Sequence, residues 1–367
     1  MKNIAVFFGG QSVEHQVSII TGTLTVNSLD SQKYNGIPIY CSQDGLWFTG
    51  EQLRDIDSYK NLDFSKLKRV TLKAGENVLY QIIGKKLKAI CNIALAINCM
   101  HGERGEDGCL FGYLSMCKIP LASPPLFASA TSISKTNSKI FLNGLHIKTL
   151  PYITIDRLSD CSLVEKALGY PLIVKPDCGG SSIGVGCAYN SKQLYQSVSY
   201  ALKFGEKVIV EPLIKDFTEI NCAVYSVGGS MFASPCERPI KRSDFLSFGD
   251  KYCSGEREFP ANIPENISKR IQSLSKRVYQ GLGCKGIIRI DFMLIEDKIY
   301  LNEINTVPGS LAYYLFCNTL KEYSALLTQL IVEGESLFAK SQTYQTQFSS
   351  GILNVEGCKS SKCLKNK

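Results

Sequence analysis

The stretch RIDFMLIEDKIYLNEIN, Arg289 to Asn305, contains three residues that could hold a hard cation: Asp291, Glu303 and Asn305. It reads as two strands around a short polar turn, Glu296-Asp297-Lys298. Strand side chains alternate with period two, so Arg289, Asp291 and Met293 share one face, and Glu303 and Asn305 share a face on the return strand. With Asp297 at the turn centre, Asp291 lies across from Glu303 and Arg289 across from Asn305. Two carboxylates directly opposed repel. Two charged oxygen donors and one neutral one suit Mg2+, which would turn the repulsion into attraction and bridge phosphates. The plainer alternative is a surface hairpin whose acids face water.

Four further stretches carry chemistry-bearing residues. In VKPDCGGSSIGV, Lys175 ends a strand and Gly179-Gly180-Ser181-Ser182 follows. Glycines let backbone N–H groups close on an anion, the two hydroxyls add donors, and lysine supplies a point charge for phosphate. The stretch lacks the terminal Gly-Lys-Ser/Thr of a Walker A loop, and a flexible hairpin turn is the alternative. VIVEPLI puts Glu211 and Pro212 at a strand end, where backbone groups of 212–214, the Ile214 N–H among them, could meet an adenine edge; a buried strand is the other reading. MHGERGEDG follows an apolar strand, the usual place for a ligand in an open α/β sheet. His101 there could be cationic or a donor, while Glu103, Glu106 and Asp107 could form a solvated turn. GGQSVEHQVS sets Glu14 at a loop-to-helix start, as an ammonium receptor or as a charge favoured at a helix N-terminus.

These residues need a scaffold, and the chain can supply one. Its 367 residues are 44% hydrophobic and 20% charged, enough for two or three modules with a sizeable core. No apolar run approaches the roughly 20 residues of a membrane span. The 15 cysteines, with no export signal, read as reduced thiols of a cytoplasmic protein. Cys358 and Cys363 in the tail are too few for a zinc site. The net charge of +8 includes tail lysines and forms no dense stripe, which argues against a nucleic-acid partner. IAVFF, GIPIY and ALAIN read as buried strands and Val13 to Leu29 as a helix, giving a small open α/β domain up to about residue 120. SKTNSKIFLNGLHI reads as a helix, PLIVKP and KVIVEPLI as strands, 266–282 and 322–337 as helices, and the residues after about 341 as a polar, partly disordered tail.

Taken together, GGQSVEHQVS, HGERGEDG, KIPLASPPLFASATSISK, IVKPDCGGSSIGV, IVEPLI, FLSFGDKY and RIDF…YLNEINTVPG resemble, in order and spacing, the D-alanine–D-alanine ligases, ATP-grasp enzymes with D-Ala-D-Lac and D-Ala-D-Ser relatives. The resemblance covers about residues 1 to 340. It implies an N-terminal open α/β (pre-ATP-grasp) domain over 1–120, a central ATP-grasp lobe over 121–212 and a C-terminal lobe over 213–340, an α/β and α+β chain followed by the tail at 341–367. By matching motif it implies that Lys135, Lys175, Ser182, Glu211, Ile214, Glu219 and Lys251 hold ATP, and that Asp291, Glu303 and Asn305 bind two Mg2+ ions, with Mn2+ as a substitute. Glu14 would receive the first D-alanine's ammonium and His101 would sit by its acyl end. Arg289 and the Gly309 amide would stabilise an oxyanion, and Ser181 and Tyr252 would hold a loop shut.

Three departures stand out. The family's Met-Asp-Lys is here Ile133-Ser134-Lys135, its phosphate turn begins Asp177-Cys178-Gly179, and Tyr314 falls near the serine that meets the second substrate's carboxylate. Ser310, Tyr314 or a backbone N–H are the candidates for that role. The resemblance implies ATP-dependent joining of two D-alanines through an acylphosphate, for peptidoglycan precursor synthesis, by a cytoplasmic homodimer without nucleic-acid or membrane partners. Two alternatives remain open: a related ligase with another acceptor, or a catalytically weak nucleotide-binding relative.

Overall fold

The computed structural model describes residues 1–240 and 256–350. Strand β1 (Lys2–Gly9) is buried on both faces: Ile4, Val6 and Phe8 enter one core and Ala5 and Phe7 another. That explains its unbroken apolar run, the pattern of a parallel strand covered on both sides. Helix α1 (His15–Asn27) leads to β2 (Tyr34–Cys41), which pairs parallel to β1. The chain then adds an antiparallel meander, β3 (Trp47–Thr49), β4 (Lys68–Thr71), β5 (Val78–Ile83) and β6 (Lys86–Asn92), before β7 (Leu95–Asn98) returns parallel to β1 on its far side. The seven-stranded sheet runs β6-β5-β4-β3-β2-β1-β7. The parallel part was legible as alternating strands and helix; the meander was not, because its strands are short or exposed. Lys86 and Lys88 sit on the β6 edge, where charge discourages further pairing.

Helices α2 (Cys109–Met116), α3 (Leu126–Ile133) and α4 (Lys135–Gly144) connect to a second, antiparallel sheet. Its strands are β8 (Ile153–Ile155), β9 (Leu172–Pro176), β10 (Gly186–Ala188) and β11 (Val208–Pro212), in the order β10-β9-β11-β8. Helices α5 (Cys161–Leu168) and α6 (Ser191–Ala201) cover it, with Val164, Leu194 and Val198 against Leu172, Val174, Val208 and Val210. The glycine turn of 179–186 joins β9 to β10.

The third section contains β12 (Thr218–Val227), β13 (Ser230–Ala233), the ribbon strands β14 (Arg238–Pro239) and β15 (Arg257–Glu258), α7 (Glu265–Gly281), β16 (Ile288–Ile295), β17 (Lys298–Asn305) and α8 (Leu320–Ser341). Its sheet runs β13-β12-β16-β17. Ile267, Ile271 and Val278 of α7 pack on Ile220, Val224, Ile290 and Phe292, so one face of the sheet is closed and the other is left for Asn221, Arg289 and Asp291. Helix α8 opens with a capping box between Thr319 and Glu322. Its Leu326, Leu327 and Leu330 share one core with Ile4 and Leu95 of the first sheet, which ties the C-terminal helix to the N-terminal section.

The β16–β17 hairpin places Asp291 opposite Glu303 and Arg289 opposite Asn305, as the alternation predicts. It reaches that register by another route. The turn has two residues, Glu296 and Asp297, with Ile295 opposite Lys298 and Phe292 opposite Leu301. The register then shifts at Asn302, a bulge that brings Glu303 back across from Asp291.

Candidate active site

Two cavities of about 530 and about 500 Å3 lie between the sections. They share a wall made of Gly179, Gly180, Ser181, Glu219 and Glu303. The larger is lined by Glu14, His101, Arg289, Asn305, Gly309, Ser310 and Tyr314, and the smaller by Lys135, Lys175, Ser182, Glu211, Ile214 and Asp291. The residues singled out from the sequence therefore fall into two neighbouring chambers. Lys251 and Tyr252 lie outside the described residues.

The smaller chamber is organised around Glu211. Strands β9 and β11 pair antiparallel, with Ile209 opposite Lys175 and Glu211 opposite Ile173, so Lys175 and Glu211 are diagonal neighbours across the pair and their side chains meet. Lys175 Nζ donates to Glu211 Oε2 at 2.6 Å, and Lys139 Nζ stands 2.5 Å from Oε1. Burial pushes the Glu211 carboxyl up, but Lys175 and Lys139 outweigh it and bring it to about 2. Lys139 was missed in the sequence. It sits one turn beyond Lys135 on α4, and that i,i+4 spacing, which puts both lysines on one face, was the available signal. Lys135 Nζ donates to the Gly179 carbonyl at 2.7 Å and lies 3.4 Å from Glu303.

The first two departures turn out to be partners. Ser134 caps α4, accepting from the Asn137 N–H, and its hydroxyl donates to Asp177 Oδ2 at 2.7 Å. Asp177 Oδ1 accepts the Thr136 N–H at 2.8 Å, and the Asp177 carbonyl accepts the Lys135 N–H at 2.9 Å. An acid therefore does serve the α4 N-terminus, but it comes from the glycine turn rather than from the residue before the lysine.

In the larger chamber Glu14 stands just before α1 and accepts a short hydrogen bond from Ser181. Ser181 and Ser182 both have left-handed backbone, φ 52° and 60°. Gly180 matters here because a Cβ on it would lie 3.0 Å from the Glu14 carboxylate. His101 Nε2 is 2.9 Å from Thr21 Oγ1, which accepts the Ser310 N–H at 3.0 Å. Burial, with Arg289 nearby, lowers the His101 pKa to about 4, which favours the neutral, hydrogen-bonding reading of this imidazole over the cationic one. Glu106 is no solvated turn residue either. It accepts the Gly102 N–H at 2.8 Å and the Val307 N–H at 3.0 Å. Burial, then Glu14, raise its pKa to about 8 against those two donors.

Asp291 and Glu303 do not simply confront each other. Arg289 donates to Asp291 through Nε at 2.8 Å and Nη2 at 3.0 Å, and Asn305 Nδ2 lies 2.9 Å from Oδ2. Each acid has a cation partner, Arg289 on Asp291 and Lys135 near Glu303. Two hard carboxylates at adjoining chamber walls, each drawing a cation, fit a divalent metal, and the Asn305 amide turned over would offer its oxygen.

The chain also matches known families. The model of the "D-ala D-ala ligase N-terminus" matches residues 3–124 and that of the "D-ala D-ala ligase C-terminus" residues 142–333. The chain belongs to the D-Ala–D-Ala ligase family. A D-alanine--D-alanine ligase of Thermosipho melanesiensis is 38% identical, over 92% of this chain and 95% of that protein. The D-alanine–D-alanine ligase structure of Helicobacter pylori aligns with TM-score 0.76 and 28% identity, over 91% of this chain and 98% of that one. VanG, a D-Ala:D-Ser ligase of Enterococcus faecalis, aligns equally well at TM-score 0.76 and 27% identity, over 92% and 99% of the two chains. The family's architecture, an α/β domain followed by two ATP-grasp lobes, is the one described above.

Proposed function

We infer that the chain is an ATP-dependent ligase that joins two D-alanines into D-alanyl-D-alanine, the peptidoglycan precursor, through an acylphosphate. The observation that carries this reading is the shared wall. A nucleotide in the Lys175 chamber and an amino acid beside Glu14 would meet across Gly179–Ser181 and Glu303, where a phosphoryl group can pass from one to the other.

Lys135 and Lys175 would hold the phosphates, Ser182 would add a donor, and Glu219 would take the ribose. Backbone groups of 212–214, the Ile214 N–H among them, would meet the adenine edge, with Glu211 beside them in the nucleotide chamber. The division into a domain over 1–120 and lobes over 121–212 and 213–340 follows the same assignment. Asp291, Glu303 and Asn305 would hold two Mg2+ ions, or Mn2+ in their place. The metal would supply charge neutralisation on the phosphates. Glu14 would anchor the first ammonium. Neutral His101, fixed by Thr21, would sit at that substrate's acyl end as a hydrogen-bonding group. Arg289, held rigid by Asp291, would face the oxyanion together with the Gly309 amide; a preorganised cation needs no reorganisation as that charge develops. Little here requires a protein nucleophile; positioning and charge suffice. The roles expected for Lys251 and Tyr252 remain part of this proposal. A cytoplasmic homodimer is the setting it implies. Among the described residues no helix is long and apolar enough to cross a membrane.

Phosphate release from ATP, measured with D-alanine and with L-alanine, tests the reading, with the dipeptide identified by mass. Release with D-alanine alone and a dipeptide product is expected. ATP binding without turnover would instead favour a nucleotide-binding relative. A panel of D-alanine, D-serine and D-lactate as second substrate decides among the acceptors.

A further inference from the structure

A ligase of this kind must hold two amino acids in the larger chamber, and the second brings a carboxylate that does not react. Something must receive that charge. Ser310 is a weak candidate through its backbone, because its N–H donates to Thr21; the Leu311 N–H is likewise committed to the Pro308 carbonyl at 2.8 Å. Arg289 commits Nε and Nη2 to Asp291. His101 carries no charge near neutral pH.

One more cation lines this chamber among the described residues: Arg257, on the ribbon strand β15 opposite Pro239. Its guanidinium carbon lies 4.4 Å from the Tyr314 ring centroid and 5.5 Å from that of Phe259. Nη1 donates to Glu237 Oε1 at 3.1 Å. Glu237 is itself fixed to β12, by paired backbone hydrogen bonds with Asn221 at 2.8 and 2.9 Å. The guanidinium is thus gripped by one acid and packed against an aromatic face, while its side chain keeps 34% of its surface open. A planar fork has five N–H donors, and one carboxylate does not exhaust them.

We propose that Arg257, laid against the Tyr314 ring and oriented by Glu237, is the receptor for the acceptor amino acid's carboxylate; this rests on the ligase reading above. It also accounts for the tyrosine near the place of the family's serine. A serine hydroxyl would meet the carboxylate directly. Tyr314 instead provides a face on which a guanidinium lies, and its own hydroxyl, beside Arg289, belongs to the reacting end of the chamber. The specificity that follows is for an acceptor with a free carboxylate next to its amine.

The test uses the full chain with ATP and Mg2+, and compares D-alanine with D-alaninamide, its neutral analogue, as acceptor. Hydroxylamine trapping of the acylphosphate as D-alanyl hydroxamate reads the first half-reaction separately. Arg257→Gln removes the charge, and Arg257→Met removes it while keeping an apolar stem over Tyr314. Either variant that folds is expected to lose the preference for D-alanine over D-alaninamide, through a rise of about tenfold to a hundredfold in the D-alanine acceptor KM. Hydroxamate formation and the ATP KM stay as in the wild type, and Arg257→Lys recovers part of the preference. An undiminished preference in both neutral variants overturns the proposal, as does an equal loss with both acceptors, which would mean packing alone. A wild-type protein that forms no hydroxamate overturns the ligase reading itself, and this proposal with it.

Discussion

Replacing Asp177 by alanine tests whether the acid for the α4 N-terminus comes from the glycine turn. The carboxylate accepts the Thr136 N–H at 2.8 Å and the Ser134 hydroxyl at 2.7 Å, and the residue is only 8% exposed. A hydrogen bond to a charged group contributes about 1.5–3 kcal/mol, and loss of an N-terminal cap costs about 1 kcal/mol. The terms overlap, so Asp177→Ala should lose about 2–4 kcal/mol of stability. Ser134→Ala removes the cap to Asn137 and one partner of Asp177, and should lose about 1 kcal/mol. Because the two residues share a hydrogen bond, the double variant should lose less than the sum, by about 1 kcal/mol. Denaturant unfolding of the four proteins gives the cycle. Lys135 starts α4 and its Nζ reaches Gly179, so the ATP KM should rise with the stability loss. Strict additivity, or an Asp177→Ala loss below about 1 kcal/mol, would refute the partnership.

Asp291→Asn should abolish ligation and also destabilise the ligand-free protein, by about 3–5 kcal/mol, because it takes the carboxylate charge away from the buried Arg289 guanidinium. Glu303→Gln should abolish ligation with little change in stability, since its Lys135 partner lies 3.4 Å away; a stable Asp291→Asn protein would show that repulsion between the acids dominates after all. Stability should fall as pH rises from about 6.5 to about 8. Over that range folded Glu106 keeps a proton that the unfolded chain has released, whereas His101, folded pKa about 4, adds stability as pH rises only up to about 6.5. The slope is at most about 1.4 kcal/mol per pH unit; Glu106→Gln should flatten it, and an unchanged slope in that variant would remove Glu106 as its source. Lys139→Met should cost about 3 kcal/mol and raise the ATP KM by leaving Lys175 to neutralise Glu211 alone, and unaltered ATP binding would limit Lys139 to a packing role.

Strong periodicity made the central elements readable. The buried first strand, the two strands of the β16–β17 hairpin and helices α4, α7 and α8 were readable, while the Asp291–Glu303 register came out as expected only because the bulge at Asn302 offsets a turn one residue shorter than expected. The antiparallel meander of residues 47–92 did not show, because its strands are short and its edge strand β6 is exposed, which erases the apolar pattern. At the site, residue types were legible and partnerships were not. Asp291 could be read as a metal ligand, but no spacing rule says that Arg289, two residues away on its own strand, turns back to grip it. Asp177 and Ser134 looked like separate departures because 43 positions divide them and only the folded chain brings them together. Arg257 carried no motif at all; its place depends on the Glu237 and Tyr314 contacts.

The segment after Asn305 shows why this wall of the larger chamber was hardest to read. Ser310, Leu311 and Ala312 take left-handed backbone angles, with φ 52°, 50° and 49°. For L-residues that conformation costs roughly 1–2 kcal/mol each, and no glycine marks these three positions. Something must hold the turn, and the contacts name it. Leu311 and Ala312 are buried in the core that α8 shares with the first sheet. Ser310 donates its N–H to Thr21 on α1, and Val307 donates to Glu106 after β7. All of these anchors reach toward the N-terminal section, so the path of this chamber wall is set by residues some two hundred or more positions away. The strain is therefore localised where the two sections close on the chamber, a common location for strained backbone at ligand sites. A residue such as Tyr314 at the end of this turn cannot be placed by counting from Gly309. Its ring meets Arg257 because the left-handed turn, held from the other section, directs it there.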